Sequence, residues 1–300
     1  MMDKIVFALL RGVCQLPAYV AHAKGFLREV DIDATLSIAP TAWTVPERLL
    51  RGDVQFAVIP WTRVAADTSP GNRLMLISGS GIEEAAMVVR KGMAIEQVKD
   101  VAVPTEGGIK DLTAMALIQK LHWQDANVIR MPSGDGAILS FIGEAADAAS
   151  MIEPYSTMLE HLGMGRVIQR TGDVWPGAPG CSLTTTSDLI AEDSDLVERM
   201  VSAYLRAAQF LETSLDESAE IAAKYIGLSA EIIRKALKVN RPNVNAIRNQ
   251  AAMDQVIALM MKRGYIDRPP TQYKDLSFMD KCCGTVGHTK SAVGLEQSSA

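Results

Sequence analysis

Short apolar runs alternate with amphipathic stretches through the first two thirds of the chain, and the last third is patterned almost wholly as helix. Residues 4–10 (KIVFALL) form a β-branched and apolar run of strand length. Arg11-Gly-Val-Cys-Gln-Leu-Pro17 interrupts it with turn chemistry, and 18–28 returns to helical spacing. The pattern predicts a strand, a turn and a helix. In an open α/β sheet ligands bind outside the carboxyl ends of strands, so the turn carrying Arg11, Cys14 and Gln15 is the first candidate site. Further strands are expected at 30–36, 53–59, 73–77, 85–90, 98–103, 127–131, 146–152, 165–170 and 183–186. Helices are expected at 47–51, 63–67, 109–121, 137–143, 194–214, 216–225, 229–239 and 246–263, with 68–72 a loop. The strand–turn–helix pattern restarts at Val98, and that restart predicts a second lobe. Lobe 1 is expected to comprise 1–84 and 182–283, and lobe 2 to comprise 85–181. The chain is expected to cross between them at 85–90 and 181–186, and 284–300 reads as a mobile tail.

The order of segments carries a resemblance. Pro17-Ala-Tyr-Val-Ala-His-Ala-Lys-Gly-Phe-Leu27, Gly52-Asp-Val-Gln-Phe-Ala57, Lys99-Asp-Val-Ala-Val-Pro104, Ala145-Ala-Asp-Ala-Ala-Ser-Met-Ile-Glu-Pro-Tyr155 and the helical 195–208 together resemble the nitrate, sulfonate and taurine type of ABC-transporter solute-binding protein. The resemblance extends to the related thiamine-pyrimidine synthase-like proteins and covers the chain to about residue 280. It implies an α/β, two-lobed periplasmic-binding-protein fold of the second type: mixed sheets flanked by helices, with a two-strand hinge that closes on ligand. The family holds binding proteins and a few enzymes, so the fold follows from it more firmly than the function.

Composition narrows the partners. With 48% hydrophobic and 22% charged residues and a net charge of −5, the chain is an ordinary globular one without the basic footprint that nucleic acid requires. No apolar run reaches membrane-spanning length, so it is not expected to be an integral membrane protein. Lys4 and the run after it imitate a secretory signal, but Arg11 breaks the run, and cleavage there would delete the first strand. Adjacent Cys282 and Cys283 suit a reducing compartment. The sequence as it stands therefore reads as cytoplasmic, and as periplasmic if an export signal has been removed. The four cysteines lack the spacing of a disulfide framework or zinc site, and neither metal nor cofactor is expected.

Candidate chemistry clusters at strand ends. Thr105-Glu-Gly-Gly-Ile-Lys110 opens a helix, so Thr105, Gly107 and Gly108 are expected to meet an anion through free N–H groups; the alternative is that Thr105 only caps the helix. Glu106 would repel an anion, and Lys110 either offsets it or is a solvated charge. Trp43 and Trp61 follow strands, where their faces would pack on a planar or apolar ligand portion. Ser78 closes the fourth strand. Glu153 and Tyr155 end a strand of lobe 2 where the resemblance also places ligand contacts. Cys14 is the thiol of the first turn, and Arg11 beside it would lower its pKa. The resemblance adds that enzymes of this fold, such as an aromatic sulfinate desulfinase, carry a nucleophilic Cys there with Pro three residues on. No partner His is evident, so a buried thiol is the favoured reading. Two functions stand. One is a solute-binding protein that closes on a small anionic or polar ligand (sulfonate, nitrate, taurine or pyrimidine-like) for uptake through an ABC permease or for sensing. The other is a cytoplasmic desulfinase, lyase or cofactor-biosynthesis enzyme that uses Cys14.

Overall fold

The computed structural model describes residues 2–67 and 73–286, the last four without their side chains. The expected loop at 68–72 lies outside them, as does the expected tail apart from 284–286, which continue the last helix.

In the first segment β1 (Asp3–Leu9), α1 (Leu16–Ala23), β2 (Ile32–Ile38), α2 (Val45–Leu50), β3 (Phe56–Pro60), α3 (Trp61–Ala65) and β4 (Leu74–Gly79) follow in order. The middle segment holds β5 (Ala85–Arg90), β6 (Asp100–Pro104), α4 (Ile109–Lys120), β7 (Asn127–Met131), α5 (Gly134–Ile142), β8 (Ala148–Ile152), α6 (Tyr155–His161) and β9 (Gly165–Arg170). After it come β10 (Cys181–Thr186), α7 (Ser187–Glu192), α8 (Ser194–Thr213), α9 (Leu215–Ile226), α10 (Ala230–Val239), α11 (Gln250–Lys262) and α12 (Ser277–Val286).

These strands build two five-stranded sheets with one plan. The first runs β2-β1-β3-β10-β4 and the second β7-β6-β8-β5-β9. In each, four strands run the same way and the other, β10 or β5, is antiparallel to both its neighbours. The strands read as continuous apolar runs because both faces are covered. In the second sheet, Met87 and Val89 pack with Val101, Val103 and Leu117 on one face. Val88 and Ala102 between them pack with Phe141 and Leu159 on the other. Around the first sheet, Phe7, Tyr19, Phe56, Trp61 and Tyr204 are fully buried, and α8, an amphipathic helix of 20 residues, packs on α1.

The crossings differ from the expectation. Segments 85–90 and 181–186 are β5 and β10, each inside its own sheet, because their apolar residues find ladder partners on both sides. The chain passes between the sheets just before them. There Gly81 N donates to Cys181 O and Gly180 N to Gly81 O, each at 2.8 Å, and Ile82 bridges Pro179. Helices α6, α7 and α12 fall outside the expected helical ranges; Pro154 stands at the edge of α6, where a proline is tolerated.

Candidate functional site

A cavity of about 80 Å³ lies between the sheets, room for roughly five waters. Arg11, Thr41, Trp43 and Arg63 line it from the first sheet, at the turns after β1, β2 and β3. Thr105, Gly108, Lys110, Asp111, Ser133, Asp135 and Tyr155 line it from the second, at the turns after β6, β7 and β8. Glu84 and Cys181, from the crossing, complete it. Strand carboxyl ends of both sheets thus face one volume.

Helix phase selects the residue after β3. Trp61, Thr62, Val64 and Ala65 of α3 are all buried, which leaves Arg63 to face outward. Trp61 therefore does not reach the cavity. Its indole N–H donates to Pro179 O at 2.9 Å and its ring stacks near Tyr273 at 6.4 Å. Arg63 lies over the Trp43 ring at 4.1 Å and donates to Glu106 O. Its buried Nε has no hydrogen-bond partner among the described residues. Burial pushes its pKa down to about 10, against the pull of Asp111 and Tyr265, so the guanidinium stays charged at neutral pH.

The second wall joins backbone to side chains. Helix α4 starts at Gly108 without a side-chain cap, so its first-turn N–H groups have no intrahelical partner, and Gly108, Ile109, Lys110 and Asp111 line the cavity. Thr105 is not the cap. Its hydroxyl donates to the carbonyls of Met131 and Pro132 at 3.3 and 3.0 Å and ties the turn to the end of β7. Asp111, fully buried, accepts from Gly107 N at 2.8 Å and pairs with Arg130. Gly107 takes a left-handed φ of 78°. It lines a neighbouring hollow with Tyr265, and its carbonyl accepts from Thr62 Oγ1 of the other sheet at 2.8 Å. Glu106 also faces that hollow and sits 3.5 Å from Arg130, so it does not oppose an anion in the cavity. The Lys110 ammonium lies against Gly134 at the start of α5, where a Cβ would overlap it. Helix α5 is capped by Ser133, whose Oγ accepts from Gly136 N at 3.1 Å.

Several expected site residues have partners inside the protein. Gln15 is fully buried, accepting from Leu10 N at 3.1 Å and donating to Cys14 Sγ at 3.4 Å, so it braces the first turn. Ser78 is buried and donates to Gly79 O. Glu153 turns inward, accepting from Thr157 N at 3.1 Å and pairing with Arg170 at 2.8 Å. Cys14 is buried and off the cavity wall. The hydrogen bond from Cys181 pulls its pKa down, but burial and the Glu84 carboxylate together push the thiol above its ordinary value, so Arg11 does not activate it. Arg11 instead sits 3.9 Å from Asp135 across the cavity. Tyr155 does line the cavity, and burial, then the charge of Asp135, push it up to about 12, so it remains a neutral phenol.

Arg11, Trp43, Thr105, Gly108 and Tyr155 are thus brought together as expected, while Cys14, Gln15, Trp61, Ser78, Gly107 and Glu153 are not. Arg63, Thr41, Asp135, Glu84 and Cys181 line the cavity without having been expected there, and Lys110, expected to offset Glu106 or to be a solvated charge, lines it too. The acid three residues after Gly108 was a readable signal of a tied helix start. For Glu84 and Cys181 no local signal existed.

Comparison with known proteins bears on this geometry. The sequence model of the NMT1-like family matches residues 83–227. No curated protein matches the chain by sequence. Among solved structures, a ligand-binding component of an ABC-type import system from Staphylococcus aureus, with zinc bound, has a TM-score of 0.82 at 15% identity, covering 94% of this chain and 99% of its own. The periplasmic nitrate-binding protein NrtA from Synechocystis gives 0.78 at 12% identity, covering 95% and 89%. The periplasmic aliphatic sulphonate-binding protein SsuA from Escherichia coli gives 0.74 at 14% identity, covering 91% and 96%. The chain has the periplasmic-binding-protein fold of these proteins, and the expected resemblance holds. Among the described residues no helix is long and apolar enough to cross a membrane.

Proposed function

We propose that the protein is a two-lobed solute-binding protein that encloses a small organic anion between its sheets. The observation that carries this is the state of charge at the cavity. Asp111 is paired with Arg130 and Asp135 with Arg11, and Glu84 is turned into the crossing against Cys181, whereas Arg63 and Lys110 are in no ion pair among the described residues. Lys110 stands at the first turn of α4 and against the start of α5. A cation at the positive ends of two helices is unfavourable by itself, and an anion between them reverses the sign. The orphaned Nε of Arg63 supplies a further donor. Trp43 and Tyr155 offer ring faces for the rest of the solute, which is the chemistry of a sulfonate or carboxylate on a compact body.

The relatives named for sulphonate and nitrate support this class. Delivery to an ABC permease, a periplasmic location and closure about the crossing at Gly81 and Gly180 belong to the same proposal. The cysteine-enzyme reading loses its nucleophile, since Cys14 lies off the wall with a raised pKa.

The test is a thermal-shift screen of nitrate, sulfonates, taurine, pyrimidines and aromatic acids. A ligand of the native state raises Tm by mass action, by about 2.7 kcal/mol of stability at a hundred times Kd. An organic anion should raise Tm, and Arg63→Ala should cut the stabilisation at that concentration to about 0.4–1.4 kcal/mol. A rise confined to cations or neutral pyrimidines and insensitive to Arg63→Ala would refute the proposal.

A further inference from the structure

The crossing between the sheets is built around a carboxylate. Glu84 is 3% exposed. A Cβ at Gly81 or at Gly180 would overlap its side chain, and neither glycine has a left-handed φ, so both are glycines to make room for Glu84. No cation pairs with Glu84 among the described residues. Its partners are Cys181 N at 3.0 Å and Cys181 Sγ at 3.3 Å. Buried carboxylates are expected to be paired or to coordinate metal, and one backbone N–H with a weak thiol donor is a thin substitute.

The second thiol completes a set. Cys14 Sγ, Cys181 Sγ and a Glu84 oxygen lie within 4.8 Å of one another, all three residues buried. They come from three segments: the turn after β1, the crossing and the start of β10. A tetrahedral zinc with bonds of about 2.0–2.3 Å needs ligand atoms roughly 3.5–3.8 Å apart. The contact of Cys181 with Glu84 at 3.3 Å is already that close. Gln15 Nε2, donating to Cys14 Sγ at 3.4 Å, holds that thiol in place, the outer-shell support that metal ligands usually have.

We propose that Cys14, Cys181 and Glu84 form a site for a borderline-soft divalent cation of the zinc type, with its fourth position towards the cavity that Cys181 and Glu84 line. Two thiolates and one carboxylate select zinc over calcium or magnesium, which take oxygen ligands. Each thiol gives its proton to solvent as the ion enters. The ion joins Glu84 and Cys181, at the two ends of the crossing, to the turn after β1 in the first sheet. It would thereby fix the relative setting of the sheets and offer a coordination position to a solute. The site does not depend on the anion-binding reading, because its ligands are distinct from Arg63 and Lys110.

Cobalt is the probe, since thiolate-to-cobalt charge transfer counts sulfur ligands. The test uses the full chain, stripped by chelator and reduced, with Cys282→Ser and Cys283→Ser, so that Cys14 and Cys181 are the remaining thiols. One equivalent of cobalt should give a near-ultraviolet charge-transfer band of two-thiolate intensity and a tetrahedral visible spectrum, and one equivalent of zinc should bleach both. Glu84→Gln should weaken cobalt binding at least tenfold while leaving the band's position. Absence of the band in the double-serine protein, octahedral visible absorption alone, or unchanged affinity in a folded Glu84→Gln variant would overturn the site. Should Glu84→Gln fail to fold, the spectrum of the double-serine protein decides by itself. Anion binding measured by thermal shift in the metal-free protein separates a failure here from a failure of the proposed function.

Discussion

The two walls of the cavity offer charge by different means. The first sheet meets the cavity with side chains at the ends of its strands: the Arg11 and Arg63 guanidiniums and, between them, the uncharged Trp43 ring. The second sheet adds the main-chain starts of α4 and α5 to the charged side chains of Lys110, Asp111 and Asp135. Side-chain donors can be removed one at a time, whereas a backbone wall is lost only when the turn that shapes it is lost. The second wall should therefore be sensitive through stability and the first through affinity.

Asp111→Ala is the strongest test of that asymmetry. The carboxylate holds Gly107 N and pairs with Arg130, and removing one member of a buried pair costs roughly 3–5 kcal/mol. Because the side chain of Arg130 is 30% exposed, a loss of about 3 kcal/mol in urea unfolding is expected. A variant with full stability and merely weaker anion binding would break the comparison. Arg63→Ala should do the opposite, leaving the urea midpoint nearly unchanged. It should weaken binding of the anion found by screening by about 10–100-fold, the worth of charged hydrogen bonds at about 1.5–3 kcal/mol; titration calorimetry reads this directly. Trp43→Ala removes a ring face that is 55% exposed and carries the Arg63 guanidinium. A two- to tenfold loss is expected from about 0.5–1.5 kcal/mol of aromatic contact, and a loss as large as that of Arg63→Ala would show that the ring, not the charge, seats the solute. Thr105→Val comes last. Its hydroxyl is spent on Met131 and Pro132 carbonyls, so stability should fall by about 1 kcal/mol with affinity inside roughly twofold. A tenfold loss of affinity would make the hydroxyl a ligand donor and the second wall less a matter of backbone.

Much of this architecture is written in local pattern. The restart of the strand–turn–helix unit at Val98 announces the second sheet, because a continuous apolar run must be covered on both faces and the helices that cover it follow in order. The turn at 105–110 is legible as the start of a helix on the cavity wall, because the glycines that open it and the strand before it are local features. What the local pattern omits is phase and distant company. An aromatic next to a strand end looks like a cleft residue, but the rotation of α3 turned Trp61 inward and brought Arg63 out, and that rotation is set by what lies beneath, not by the five residues of the helix. Glu153 ends its strand as a site residue would, yet Arg170, 17 residues on, draws it into the protein. Cys14 and Cys181 are 167 positions apart in the sequence and meet only because β10 returns beside β3 in the sheet that β1 begins. The sequence by itself determined the order of elements and the backbone that opens each helix, since these depend on residues within a turn or two. Which side chains face the cavity, and which buried carboxylate the two thiols surround, was decided by the tertiary structure, because orientation and partnership are properties of the packed chain and not of any segment.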